Sequence, residues 1–266
     1  MKRLGLVPVV LLPVLFAGCG TARAAPSAWR RVVLVELFTS QGCSSCPDAD
    51  AFVRELPALG FGRTKVLPLT FHVDYWDGLG WKDRFARPEF TARQEWYARS
   101  TRLRPPQGEE GLSGLYTPQM IVDGQVHFSG RRRHDAAREI ERASKIPPLF
   151  ELTPHVAVQG STADVRVDFG ANHAATGGAH WTVRAALAAR DARTSVARGE
   201  NAGETLEEAA VVRVLSAPVA IPEAPATEAH VRLTKPDDVA WADLDVVVFA
   251  QSDAGAIGAA VQAAAR

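Results

Sequence analysis

The sequence predicts two consecutive units, an α/β domain over residues 30–146 followed by a mostly antiparallel β-sandwich-like domain over 149–266. Three observations predict this. The first half alternates apolar strand-like runs with amphipathic segments, beginning with Val32–Phe38 and a helix opened by Pro47. Pro147-Pro148 is the clearest linker in the chain. Beyond it, short alternating or apolar runs follow one another with turn-rich segments between them and no convincing long helix.

Size and composition allow two such units. The 266 residues are 47% hydrophobic, enough to bury a sizeable core. Thirty basic and thirty acidic residues cancel, which removes the electrostatic case for nucleic acid. Three cysteines are too few for a disulfide-stapled framework.

Residues 1–24 read as an export signal. Lys2 and Arg3 precede the apolar stretch Leu4–Phe16, which is too short to span a bilayer comfortably. Two cleavage sites compete, Ala22-Arg23-Ala24 and a lipobox-like Leu15–Cys19 in which Cys19 would be lipidated. Lipidation of Cys19 is the single membrane attachment the sequence offers. The expected location is therefore periplasmic or secreted, with a lipid anchor if Cys19 is retained. In either case Cys43 and Cys46 are the remaining thiols, in an oxidising compartment.

The elements follow in order. Val32–Phe38 is a nearly unbroken apolar run, as in a strand covered on both faces. A short polar loop then delivers Cys43 and Cys46 at C-x-x-C spacing. In the next helix Ala49, Phe52, Val53 and Leu56 share a face, and Pro57 ends it. Lys65–Val73 is a second strand, although Pro68 argues against a central position. Residues 71–97 crowd together Phe71, Tyr75, Trp76, Trp81, Phe85, Phe90, Trp96 and Tyr97, more a packing cluster than a binding platform. Pro88 opens a helix over Glu89–Leu103, and glycine-rich Gln107–Tyr116 reads as a loop. Residues 117–128 form a hairpin around Asp123-Gly124, and Asp135–Ser144 is helical. The later strands are expected at His155–Val158, Val165–Phe169, Trp181–Ala189, Val211–Leu215, His230–Leu233 and Leu244–Ala250.

The order of the first half, with C-x-x-C opening its first helix and an X-Pro bond opening the third strand, resembles the thioredoxin fold. The stretches ELFTSQGCSSCP, HVDYWDGLGWKDRF, TARQEWYA, YTPQMIVDG and VARGENAGETL, in that order, resemble the exported bacterial thioredoxin-like family known as domain of unknown function 1223. Asp48 stands where that pattern has a second proline, and Glu208 where it has a histidine.

The chemistry expected is thiol–disulfide exchange without a bound cofactor, on a thiol- or disulfide-bearing protein partner. Cys43 is the expected nucleophile, favoured by unpaired N–H groups and the dipole of the helix start, and Cys46 the resolving thiol. Glu36 sits mid-strand, where an unpaired carboxylate would be costly; the resemblance implies that it relays the Cys46 proton. The resemblance also implies a cis Thr117-Pro118 bond laying Thr117 against Cys43, with Tyr116 flanking it. Two alternatives remain open. One is a copper(I) module using the cysteines with His72 and Asp74, for which Met120 is the single methionine after the signal. The other is a non-enzymatic interaction protein with a structural disulfide. Zinc would need two further ligands, and no second cysteine pair exists.

Overall fold

The computed structural model describes residues 31–99, 103–106, 114–170, 180–221 and 227–263. The expected export signal, with Cys19, lies outside these, as do residues 107–113 of the expected loop. Among the described residues no helix is long and apolar enough to cross a membrane.

The first half contains β1 (Val33–Thr39), α1 (Pro47–Glu55), β2 (Val66–His72), α2 (Pro88–Arg99), β3 (Gln119–Val122), β4 (Val126–Ser129) and α3 (Arg133–Ser144). The second contains β5 (Leu152–Gln159), β6 (Thr162–Phe169), β7 (Trp181–Ser195), β8 (Thr205–Leu215), β9 (Val219–Ala220), β10 (Glu228–Thr234), β11 (Leu244–Ser252) and β12 (Ile257–Ala263).

The strands do not sort by half. Nine form one mixed sheet in the order β12-β11-β7-β8-β2-β1-β3-β4, with β9 beside β7; β10-β6-β5 form a separate three-stranded sheet. The expectation of an α/β thioredoxin-like domain followed by a separate β-sandwich is therefore overturned: the described residues are mostly β-sheet, with three short α-helices. The physical reason lies at the join. β2 carries Pro68, which donates no N–H, yet it is internal, because β8 runs parallel to it at Thr70↔Val211. The Thr70 hydroxyl secures that seam by donating to the Ala209 carbonyl at 2.8 Å.

Strand alternation decides what each side chain meets. Val33, Val35 and Leu37 of β1 pack with Phe52 and Val53 of α1 and Ile140 of α3. Leu34 and Phe38, on the opposite face, pack with Phe90 and Tyr97 of α2 and Phe249 of β11. Val165, Val167, Val231 and Leu233 of the small sheet pack against Val183, Leu187, Val246 and Val248 of the large one. Both faces of β1 and β2 are thus buried, which explains their unbroken apolar character.

Candidate functional site

β1 ends at Thr39 and hands the chain to the loop that carries both cysteines. The Gly42 amide donates to the Ser40 hydroxyl at 3.1 Å. The Cys43 amide donates to the Ser40 carbonyl, and the Cys46 amide to the Cys43 carbonyl. Cys46 is the N-cap of α1 and Pro47 its first residue, so Cys43 lies one turn ahead of the helix. The two cysteines form a disulfide with Cα atoms 5.5 Å apart. Both are fully buried.

Of the expected partners, Thr117 is linked to Cys43 through Ser45. The Thr117-Pro118 bond is cis. The Thr117 carbonyl accepts from the Ser45 hydroxyl at 3.5 Å, and that hydroxyl lies 3.3 Å from Cys43 Sγ. The Trp76 indole N–H donates to Thr117 Oγ1 at 2.9 Å, bringing one of the clustered aromatics to the site. Tyr116 turns elsewhere: its hydroxyl is 2.9 Å from His127 Nδ1, and burial pushes the phenol up.

Glu36 is not brought to the cysteines. It shares the face of Leu34 and Phe38, away from α1. There it accepts from Arg93 Nε at 2.6 Å and from the Tyr97 hydroxyl. The copper donor set is not assembled either. Asp74 pairs with Thr91, Met120 lies in the core, and among the described residues no group of three His, Cys, Asp or Glu is placed to hold a metal ion.

What lies on the α1 side is a cluster that the sequence reading did not assemble. Thr39 and His72 are neighbours across the β1–β2 ladder and therefore share a face. Asp50 of α1 meets them from above, and Glu208 of β8 from the side. Asp50 Oδ2 accepts from Thr39 Oγ1 at 3.1 Å. His72 Nδ1 is 2.6 Å from Asp83 Oδ2, which also accepts the Gln41 amide at 2.8 Å. The Gln41 side-chain amide donates to Glu208 Oε2 at 2.9 Å and to Thr194 at 3.0 Å, and its oxygen accepts from Trp81 at 3.2 Å. Three buried atoms in this group have no hydrogen-bond partner: Asp50 Oδ1, His72 Nε2 and Glu208 Oε1. The last two face each other at 3.8 Å, a charge contact rather than a hydrogen bond.

The electrostatics follow from burial and crowding. Burial raises the Asp50 carboxyl to about 8, helped by Glu208 and opposed by His72 and Thr39. Burial alone would lower His72, but the facing carboxylates of Asp83 and Glu208 win and raise it to about 9. Asp83 goes down despite its burial, because His72 sits on it, and burial raises Glu208. At neutral pH the cluster thus holds a charged imidazole against Asp83 and a protonated Asp50.

The second half also reaches over the cysteine loop. At the tip of the β7–β8 hairpin, Asn201 Nδ2 donates to the Gln41 carbonyl at 2.9 Å and the Cys43 carbonyl at 3.1 Å. Glu200 accepts the Ser44 amide at 2.9 Å. Gly199, at φ +83°, lets the tip approach Trp81; a Cβ there would lie 3.0 Å from Trp81 Cβ. Below this clasp is a cavity of about 420 Å³ lined by Pro47, Asp50, Arg54, Asn201, Glu204 and Glu208. It reaches the surface at the exposed Arg54 and Glu204.

Asp50 had a legible signal, since it stands one helical turn after Cys46 beside the apolar Ala49, Phe52 and Val53. Asn201 had a weaker one, a Glu-Asn pair between Gly199 and Gly203 whose partner lies in the other half of the chain.

Comparison with known proteins agrees on the architecture and is silent on activity. A crystal structure of protein AGR_C_4864 from Agrobacterium tumefaciens is 25% identical, covering 89% of this chain and 96% of its own, at a TM-score of 0.61. A DUF3823 family protein from Bacteroides ovatus is 16% identical over 46% of this chain and 59% of its own, at a TM-score of 0.25. None of the curated proteins compared with the chain matches it. The profile of one protein family matches residues 34–251. The chain belongs to that family, described as Protein of unknown function (DUF1223).

Proposed function

We propose that the protein exchanges thiols and disulfides through Cys43 and Cys46, acting on a thiol- or disulfide-bearing protein partner. The observation that carries this reading is the disulfide itself, set between residues only three apart at the mouth of α1. A bridge closing so short a loop restrains the unfolded chain by only about 2 kcal/mol, the low end for disulfides. A chain with three apolar clusters has little need of that restraint. A sulfur pair next to a helix start and a titrating cluster is better suited to chemistry.

In the oxidising direction a partner thiolate attacks Cys43 Sγ. The S–S bond breaks, its electron pair leaves on Cys46, and Cys43 is held in a mixed disulfide. A second partner thiolate then displaces the Cys43 thiolate and completes the partner's disulfide. The reverse sequence reduces a partner. Because both cysteines are covered, either direction begins with displacement of the groups over the loop. The reading includes an exported setting, drawn from the first 24 residues, where such a pair persists oxidised.

The burial of both cysteines also favours a second reading, a structural disulfide in an interaction protein. Reduction of a disulfide-bonded peptide, with dithiothreitol as electron source, separates the two. Exchange predicts turnover above background that is lost in Cys43→Ala, and a trapped mixed disulfide on Cys43 in Cys46→Ala, visible by mass spectrometry. Wild-type turnover in Cys43→Ala, or no turnover at all, rejects the exchange reading.

A further inference from the structure

Disulfide exchange moves protons as well as electrons, and the buried cluster contains one group placed to handle them. Asp50 stands one helical turn after Cys46; its amide donates to the Cys46 carbonyl at 3.2 Å. Helical side chains lean back toward the N-terminus, which directs Asp50 beneath the Cys46 cap. One carboxyl oxygen is fixed by Thr39, while the other is buried without a hydrogen-bond partner. Asp50 is also one of the residues lining the cavity that runs past Pro47 to the surface at Arg54 and Glu204. An idle carboxyl oxygen inside the fold is costly, and this one belongs to a residue one helical turn from a buried sulfur pair.

We infer that Asp50 exchanges the proton that Cys46 gains and loses as the Cys43–Cys46 disulfide opens and closes, with the cavity beside α1 as its route to solvent. This rests on the exchange reading above for its biological use. When a thiolate attacks Cys43 Sγ, the S–S electron pair leaves on Cys46, which takes the proton of the Asp50 carboxyl. Asp50 is left a carboxylate and recovers a proton through the cavity. In reverse, the Asp50 carboxylate takes the Cys46 proton, the Cys46 thiolate attacks Cys43 Sγ, and the partner departs as a thiolate.

The groups facing Asp50 tune it. From β1 comes the neutral Thr39, from β2 the charged His72, from the segment after β2 Asp83, and from β8 Glu208. Arg54, one turn further along α1, is paired with Glu207 at 2.8 Å, and Glu204 is exposed at the cavity mouth. Burial and Glu208 keep Asp50 protonated up to about pH 8, so it is loaded as a donor at neutral pH. His72 cannot replace it, since its Nδ1 is engaged by Asp83 and its Nε2 faces Glu208.

The test is reduction of the native disulfide by dithiothreitol between pH 6 and 10 in the wild type, Asp50→Asn and Glu208→Gln. Asp50→Asn is expected to be slower by about 100-fold at pH 6, the size of a general acid–base contribution. That ratio shrinks toward one as pH passes 8, because wild-type Asp50 has then lost its own proton; dithiothreitol titrates identically in both. Glu208→Gln moves the midpoint of the decline to lower pH. A ratio near one, or one independent of pH, overturns the inference. A readout on the unmutated protein guards against a variant that misfolds. The Asp50 carboxyl carbon, followed by NMR, should titrate at different pH in the oxidised and reduced proteins; equal midpoints overturn the inference as well. If peptide turnover fails but these effects persist, the exchange reading falls and the proton role stands. If turnover persists with Asp50→Asn unaffected, the reverse holds.

Discussion

His72 holds its charge because carboxyl groups share its burial. Its folded pKa of about 9 exceeds the ordinary 6.5, so the folded protein keeps a proton that the unfolded chain releases. That contribution to stability is full below about pH 6.5 and is lost as pH rises through 9. Asp50 acts in the same sense: raised from 3.8 to about 8, it favours the folded state less and less across that interval. Asp83, lowered by His72, works oppositely and is lost only in acid. Thermal melts of the oxidised protein should therefore show the midpoint falling between pH 6.5 and 9. A midpoint that is flat or rising across that window would contradict the charges assigned to the cluster. At this scale the sequence was half readable. It marks Glu36 as a buried acid, and Glu36 is indeed buried, in a network with Arg93, Tyr97 and Gln251. Strand alternation, however, turns it away from α1, and the acid on the cysteine side is Asp50. Choosing between them required knowing which face of β1 the helix covers.

The β7–β8 hairpin is longer than its apolar stretch suggests. The expected strand stopped at Ala189, where the core-facing alternation ends, but β7 continues through Arg190–Ser195. That polar extension is anchored by Arg190, which donates to Asp245 and the Leu244 carbonyl, and it carries Thr194 to Gln41 and the tip residues to the cysteine loop. Asn201→Ala would leave the Gln41 and Cys43 carbonyls without their donor. Each lost bond to a buried group is worth about 1 kcal/mol or more, so urea denaturation should show a loss of about 2 kcal/mol. The native disulfide should also be reduced faster by a phosphine. A variant with wild-type reduction kinetics would show that the clasp does not restrict access. The helices and most strands were legible from periodicity and proline punctuation, with ends shifted by a few residues. β9 was too short to register. β12, Ile257–Ala263, is rich in small residues and has no clear alternation.

Across the whole molecule the two halves of the chain are sewn into one sheet. The seam pairs Thr70 with the strand containing Val211, and no periodicity in a single sequence reports pairing at that distance. A second join lies at the other end. Asp123 accepts the Leu34 amide, faces Arg31 at 3.3 Å, and offers its carbonyl to the Ile257 amide. Beside it Gly124, at φ +64°, has room for no side chain: a Cβ would lie 1.9 Å from the Gly255 carbonyl oxygen. Gly124→Ala should cost about 3 kcal/mol or more from backbone strain and overpacking. Calorimetry should record that loss in a single transition spanning both halves, whereas two separable transitions would show that the joins do not couple them. The Asn201–Cys43 contact has a further consequence, in time. A chain made from its N-terminus delivers Cys43 and Cys46 long before residue 201, a lag on the order of ten seconds at ordinary synthesis rates. Through that interval the newborn thiols stand open to whatever oxidant or catalyst meets them, and arrival of the hairpin then seals the pair in the state it has reached.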